Sequence, residues 1–225
     1  MKRATKFFTD FEKTRIQNAV QDAEALTSAE IVPMVATSSG RYDRAEDVAG
    51  LWVGVIAMAV AWFLLRAQGS AEADWGTVWS RFELPILIGC VVVGFIVGAT
   101  ASNYISGLRG LFIPKRQMRE EVEAAAARAF FDARIHHTEG ATGMLIYLSL
   151  FERTARILAD EAVLDAIGTD ALDALRDELI EGIVAGDTAT AICEVIKHAG
   201  EKLAEPLPRA EDDTNEHSDS LVLLD

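Results

Sequence analysis

The sequence predicts an α/β fold: a small mixed sheet sandwiched by helices and interrupted by a two-helix transmembrane hairpin. Three observations lead there. Half of the 225 residues are hydrophobic although the formal charge is −14, so the apolar residues must be concentrated in particular places. Two runs without a charged residue, 48–65 and 84–108, are 18 and 25 residues long. Short β-branched runs and segments with helical spacing of apolar residues flank them. The composition excludes a disordered chain, which would combine low hydrophobicity with high net charge. Two cysteines are too few for a disulfide scaffold, and so acidic a chain lacks the basic footprint of a nucleic-acid binder.

Thr9 and Glu12 form a Thr-x-x-Glu capping box, and Ile16, Ala19, Val20, Ala23 and Leu26 then recur at helical spacing, so 9–25 reads as a helix. Residues 30–36, EIVPMVA, read as a strand. Pro33 cannot donate to a ladder, which places this strand at an edge or gives it a bulge. A polar stretch, 37–47, leads into the first uncharged run.

A helix crosses the hydrocarbon core in roughly 20 apolar residues, so both runs are long enough, whereas a buried core helix is expected to be shorter. Gly54, Gly89, Gly94 and Gly98 are costly in soluble helices but tolerated in membrane spans. Trp52, Trp62 and Tyr104 lie near the ends of the runs, the depth that amphipathic rings favour. The connector 66–83 is short and polar, which makes a hairpin and puts both flanks on one side. Arg41, Arg44, Arg109, Lys115, Arg116 and Arg119 stand near the outer ends, against Arg66 and Arg81 in the connector. That bias places both termini in the cytoplasm. The first residues, MKRATKFFTDFEKTRIQ, lack the apolar core of a signal peptide, so the first span is expected to act as the insertion signal. Gly94 and Gly98 form Gly-x-x-x-Gly, which would pack within the hairpin or join a second copy as a homodimer. Cys90 and Cys193 have no spaced partners and read as small apolar residues.

Pro114 marks a break, and 115–134 is an Ala-rich helix with Val122, Ala126, Ala129 and Phe130 on one face. HHTEGATG, 136–143, is a loop. MLIYLSL, 144–150, is nearly all apolar and is expected to be a central strand covered on both faces. TARILAD, 154–160, follows at hairpin spacing. Thr169 or Asp170 caps a helix striped with Leu172, Leu175, Leu179 and Ile183 and ending at Gly186. Asp187 caps another, striped with Ile192, Ile196, Ala199 and Leu203. Residues 1–119 carry net +2 and residues 120–225 net −16. The acid reads as a solvated surface that resists adsorption to anionic lipid. A lone helix and strand cannot form a stable domain, so 1–47 and 109–207 fold together around the inserted hairpin, 48–108. The acidic tail, 208–225, reads as loose, with 221–224 able to dock.

FFTDFEKTRIQNAVQDAEALTSAEIVPMVA resembles the opening of the TPM domain, a family that includes thylakoid-lumen phosphatase-like proteins, and TGMLIYLSLFERTARILADEAV resembles its later strands. Short bacterial members, in which two spans interrupt the domain and a segment like PRAEDDTNEHSDSLVLL ends the chain, are the best match. The resemblance covers nearly all of the chain outside the hairpin. Its most specific pieces are 142–150 with 152–160, and 27–32. It implies an α/β/α sandwich, and it carries acid phosphatase activity, divalent-cation binding and the assembly or maintenance of membrane complexes as expected roles. Better-studied members have a Gly-rich stretch, roughly Gly-Tyr-Gly-x-Glu, where this chain has LADEAVL, 158–164.

Metal-assisted phosphate hydrolysis needs clustered carboxylates or imidazoles, with Ca2+ or Mg2+ as the cation. Glu30, Asp160 and Glu161 would converge if their strand ends meet. The simpler reading has Asp160 capping a turn, Glu161 solvated and Glu30 opening an edge strand. His136, His137 and Glu139 are the densest run of further ligand types, but the spacing is not that of zinc and adjacent side chains usually point apart. Near a helix C-terminus these histidines would instead favour the helix dipole. No Walker, Gly-x-Gly-x-x-Gly or Gly-x-Ser-x-Gly pattern is present. The expectation is therefore a multi-pass protein of the bacterial inner membrane whose partners are the bilayer and other membrane proteins. Its role would be non-catalytic assembly, quality control or regulation, with a divalent-cation-dependent phosphatase as the alternative.

Overall fold

The structure is a computed structural model that describes residues 3–40, 42–68, 80–104, 113–138, 140–210 and 217–225. In chain order its elements are a 3-10 turn Ala4–Lys6, α1 (Asp10–Glu24), β1 (Glu30–Ala36), α2 (Asp43–Gln68), α3 (Ser80–Tyr104), α4 (Lys115–Asp132), a 3-10 turn Ile135–His137, β2 (Gly143–Ser149), β3 (Thr154–Ala159), α5 (Glu161–Ala185), α6 (Thr188–Leu203) and β4 (Val222–Leu224). They form two units, Met1–Gly40 with Arg116–Asp225, and Arg41–Lys115.

The first unit is built on a mixed sheet of order β3-β2-β1-β4. β1 runs parallel to β2 and β4, and β2 pairs antiparallel with β3. Successive strand side chains point to opposite faces, and each face has its own cover. Ile31, Val35, Met144, Ile146 and Leu148 pack with Ile16 and Val20 of α1, Leu175 and Leu179 of α5, and Ile192 and Ile196 of α6. Val32, Met34, Leu145 and Tyr147 pack with Val122, Ala126 and Phe130 of α4. Helices on both faces explain why every residue of β1 and β2 is buried.

The capping box forms as expected: Thr9 accepts from the Glu12 N–H and Glu12 accepts from the Thr9 N–H. Asp187 likewise caps α6, accepting from the Thr190 N–H at 3.0 Å. Other expectations are changed or sharpened. β1 is interior, not an edge, and Pro33 is tolerated for a local reason. The Glu30 N–H points to β2 and the Ile31 N–H points away from it. By alternation residue 33 also faces away, where β4 pairs only with Met34–Ala36. The helix expected from Thr169 is present, and Gly168, whose φ of 75° breaks the helical run, separates it from a further helical stretch that begins at Glu161. Leu26 is exposed, because α1 ends at Glu24 before the stripe reaches it. Residues 222–224 of the tail form β4, covering the edge of β1.

In the second unit, α2 and α3 pack antiparallel through glycine. A Cβ on Gly94 would lie 2.8 Å from the Gly54 Cα, and one on Gly98 would lie 2.9 Å from the Gly50 Cα. The Gly-x-x-x-Gly of α3 thus meets a second one in α2, the packing within the pair that the motif allows. Among the described residues, Leu84–Ala101 of α3 is the window long and apolar enough to cross a membrane, with mean hydropathy 2.4. α2 carries a shorter apolar run, Gly50–Leu64.

Gly143 opens β2 where a Cβ would sit 2.0 Å from the Ile135 carbonyl oxygen. Gly143→Val forces that turn off the sheet. The expected result is a loss of about 3 kcal/mol, read as a lower denaturant midpoint of the full-length protein.

Candidate functional site

The structure keeps the expected carboxylates apart. Glu30 pairs with Gly143 on one side of β2. On the other side, the Asp160 N–H donates to the Gly143 carbonyl at 2.8 Å. Two ladder spacings, about 10 Å, separate these backbones. Asp160 is the N-cap of α5 and accepts from the Glu161 N–H at 2.9 Å, while Glu161 is exposed on the first turn. The convergence of Glu30, Asp160 and Glu161 is therefore not realised, because the loop carrying Asp160 is used to start a helix. His136 and His137 do not point apart. Their ring centroids lie 4.6 Å apart, and His136 also packs edge-on to Phe131 at 4.9 Å. The 3-10 turn after α4 brings the two rings together. Glu139 lies outside the described residues. Among the described residues, no three His, Cys, Asp or Glu side chains are placed to hold a metal ion.

Glu30 instead meets groups from α1 and the tail. A pocket of about 210 Å³ is lined by Gln21, Glu24, Thr27, Glu30, Arg209 and Asp219, among others. α1 ends at Glu24, and the short turn into β1 folds this side chain back so that it accepts from the Ile31 N–H at 2.9 Å. Thr27 donates to the Leu207 carbonyl at 2.6 Å, bringing the tail alongside. Arg209 then donates to the Glu24 carbonyl at 3.2 Å, Gln21 to Asp219 at 2.7 Å, and the His217 N–H to Glu30 at 3.3 Å.

The electrostatics follow from this crowding. Burial, opposed by the hydrogen bond from Ile31 and reinforced by the nearby Glu30 and Asp219 charges, pushes the Glu24 carboxyl up from 4.5 to about 8. At neutral pH Glu24 is a neutral acid beside a buried Glu30, only 6 % exposed, and the Arg209 cation. Such a group can exchange a proton near neutrality, which a solvated carboxylate cannot. Sequence reasoning found Glu30 but missed Glu24, Arg209 and Asp219. The end of an amphipathic helix and a polar tail carry no local mark of being buried against each other.

At the opposite end of the parallel strands, Glu152 is 7 % exposed. Its carboxylate accepts from the Ser39 N–H at 2.9 Å, the Gly40 N–H at 3.2 Å, the Ser38 hydroxyl at 3.3 Å and the Ser149 hydroxyl. Ser39 also bonds the Tyr147 hydroxyl at 3.1 Å, and burial pushes the pKa of that phenol up. Carboxyl ends of parallel strands commonly receive ligands. Here that place holds a protein carboxylate, which fixes the chain as it leaves β1. A third feature, a groove of about 410 Å³ along α1 and α6, contains Arg15, Ala19, Leu26 and Cys193. Burial raises the Cys193 thiol, which keeps it protonated and a poor nucleophile.

Two outcomes test these assignments. Because Glu24 holds its proton in the folded state up to about 8 and releases it near 4.5 when unfolded, stability falls as pH rises through that window. Glu24→Gln keeps the acceptor for Ile31 and should flatten the decline, measured as denaturant midpoints from pH 5 to 8.5. Glu152→Ala strands several buried donors and should cost about 3 kcal/mol, measured in the same way.

No protein-family model matches the chain, and no curated protein matches it. Among solved structures, the fold is similar to the NMR structure of the BA42 protein from the psychrophilic bacterium Bizionia argentinensis, with a TM-score of 0.56 and 18% identity over 99% of each chain. At that identity the likeness concerns the fold alone.

Proposed function

We propose that this is an integral protein of the bacterial inner membrane, anchored by α2 and α3 as a two-span hairpin with both termini cytoplasmic. Its α/β unit, which resembles the TPM domain, is a non-catalytic factor in the assembly, quality control or regulation of a membrane complex. One observation carries the reading. α2 and α3 bury small residues against each other and turn their large apolar side chains outward, Leu51, Trp52, Phe63, Leu84, Val93 and Ile96 among them. Water would penalise that arrangement, and lipid would not. The helices are 26 and 25 residues long, enough at 1.5 Å per residue to cross a core of about 30 Å. The non-catalytic role is supported by the structural duties of the carboxylates a hydrolase would need: Asp160 starts a helix and Glu152 clamps a loop.

A divalent-cation-dependent phosphatase is the second reading. The observation that favours it is the acidic pocket of Glu24, Glu30 and Asp219. It ranks second because that pocket also contains Arg209 and its Glu24 carboxyl is held neutral.

The anchor reading predicts that the protein stays in the membrane pellet after alkaline carbonate and is released by detergent. In a background without Cys90 and Cys193, a cysteine at Ser70 should react with a membrane-impermeant maleimide on intact spheroplasts, and one at Glu205 should not. Carbonate-soluble protein, or the reverse labelling, would sink the anchor or its orientation. Phosphatase turnover of the detergent-purified chain, with Ca2+, Mg2+ or chelator, should not exceed that of a Glu24→Gln, Glu30→Gln double variant. Metal-dependent turnover lost in that variant would establish the hydrolase instead.

A further inference from the structure

The last residues of the chain are held as a bound peptide is held. Val222–Leu224 pairs with Met34–Ala36 through only three residues of parallel ladder. Val222 packs toward the α4 face of the sheet, and Leu221 and Leu223 pack toward the opposite face. These side chains are half-buried, while Met34, Val35 and Ala36 beside them are buried.

The end of the strand is received by a fixed polar cradle. The Thr37 N–H donates to the Leu224 carbonyl at 2.8 Å. The Asp225 side-chain carboxylate accepts from the Thr5 N–H at 3.3 Å, the Thr5 hydroxyl at 2.7 Å and the Thr37 hydroxyl at 2.9 Å. The Ala4 N–H donates to the Thr37 oxygen at 2.7 Å and holds that hydroxyl in place. Backbone pairing and pockets for alternate side chains are the parts of strand-addition recognition, and the cradle adds a clamp for a side-chain carboxylate. None of these contacts requires that the strand belong to the same chain. The bonds from Thr5, then those from Thr37, hold the Asp225 carboxyl below its ordinary range, so the cradle prefers the charged form.

We propose that the edge of β1 from Met34 to Thr37, together with Thr5, is a docking groove for an extended segment of a partner protein, in which alternating apolar residues are followed by a side-chain carboxylate, and that residues 221–225 are its internal occupant. The chemistry of the partner is read from the occupant itself. The proposal rests on the interaction-factor reading and names the surface that role would use. A partner segment must displace the tail, which is present at the high effective concentration of a tethered ligand. The short ladder and half-exposed side chains of β4 keep that competition within reach, and a partner confined to the same membrane surface competes on similar terms.

The test uses full-length protein in detergent and a fluorescent peptide of sequence Ser-Asp-Ser-Leu-Val-Leu-Leu-Asp. A Val222→Asp, Leu223→Asp variant ejects the internal strand, and hydrogen exchange verifies that the tail is free while the sheet stays protected. That variant should bind the peptide at least tenfold more tightly than the unmodified chain. A peptide ending in Ala should bind about tenfold more weakly than the one ending in Asp, the loss expected for a charge-assisted hydrogen-bonded clamp. A gentler variant, Asp225→Ala, should bind the Asp peptide with intermediate affinity and covers the case in which the double variant does not fold. Failure of the folded variants to bind, equal binding of the two peptides, or binding by the unmodified chain as tight as by the variants would each overturn the groove. Membrane extraction and phosphatase turnover are measured separately, so failure of the groove and failure of the broader reading are distinguishable.

Discussion

The parallel pairing of β1 with β2 is the constraint on which the rest of the molecule depends. Antiparallel neighbours can be joined by two residues, but parallel neighbours need a crossover of a dozen or more. Here the crossover is residues 37–142, and it contains both the α2–α3 pair and α4. That single connection solves two problems. α4 supplies the cover for one sheet face through Val122, Ala126 and Phe130, and the apolar pair is inserted where the chain must leave the sheet anyway. The clamp on loop 38–40 by Glu152 follows from the same demand. The departing strand end carries backbone N–H groups that no ladder satisfies, and a buried carboxylate from the β2–β3 turn satisfies two of them.

Local patterns announced local structure and nothing more. The capping box at Thr9 and Glu12, the cap at Asp187, the all-apolar β2 and the β2–β3 hairpin were legible because each is written within a few neighbouring residues. What was not legible depends on distant partners. β4 is three residues in an acidic tail, and only the edge of β1 makes them a strand. Pro33 looked like an edge marker because the sequence shows that the N–H is missing but not which way it would have pointed. Glu24 sits at the end of a polar helix face, and it becomes a half-buried acid where it folds back on Ile31 and Thr27 and Arg209 draw the tail across it. Among the expected site residues, Glu30 shares a pocket with other ionisable groups from separate elements, and its partners were invisible for this reason.

The concentration of acid in the second half of the chain has a structural use beyond solubility. Several of these carboxylates serve chain ends: Asp160 and Asp187 start helices, and Asp225 closes the tail on Thr5 and Thr37. Donors freed at a helix start or strand end are best met by charged acceptors, which give shorter and stronger bonds than neutral ones. The Glu24 pocket is the exception that shows the limit of this strategy. Partial burial of Glu24, with the Glu30 and Asp219 charges nearby, disfavours its ionised form, and the group keeps its proton instead.

Close backbone approach through glycine recurs in both units, in different energetic settings. In the sheet unit, a Cβ on Gly182 would lie 2.4 Å from the Ala191 Cβ, and one on Gly200 would lie 2.7 Å from the Ala23 Cβ. Those contacts seat α5 on α6 and α6 on α1, where burial of the surrounding leucines and isoleucines supplies most of the stabilisation. The α2–α3 pair uses the same device at Gly50, Gly54, Gly94 and Gly98, but its outward side chains are apolar. In the proposed lipid setting, separating the helices would expose nothing that the solvent dislikes, so close packing would carry more of their association. Enlarging a glycine in the sheet unit forces its neighbours apart within a core that burial still holds together. Enlarging one in the helix pair removes the close approach through which α2 and α3 meet, which makes the four glycines the specific content of an otherwise generic apolar segment.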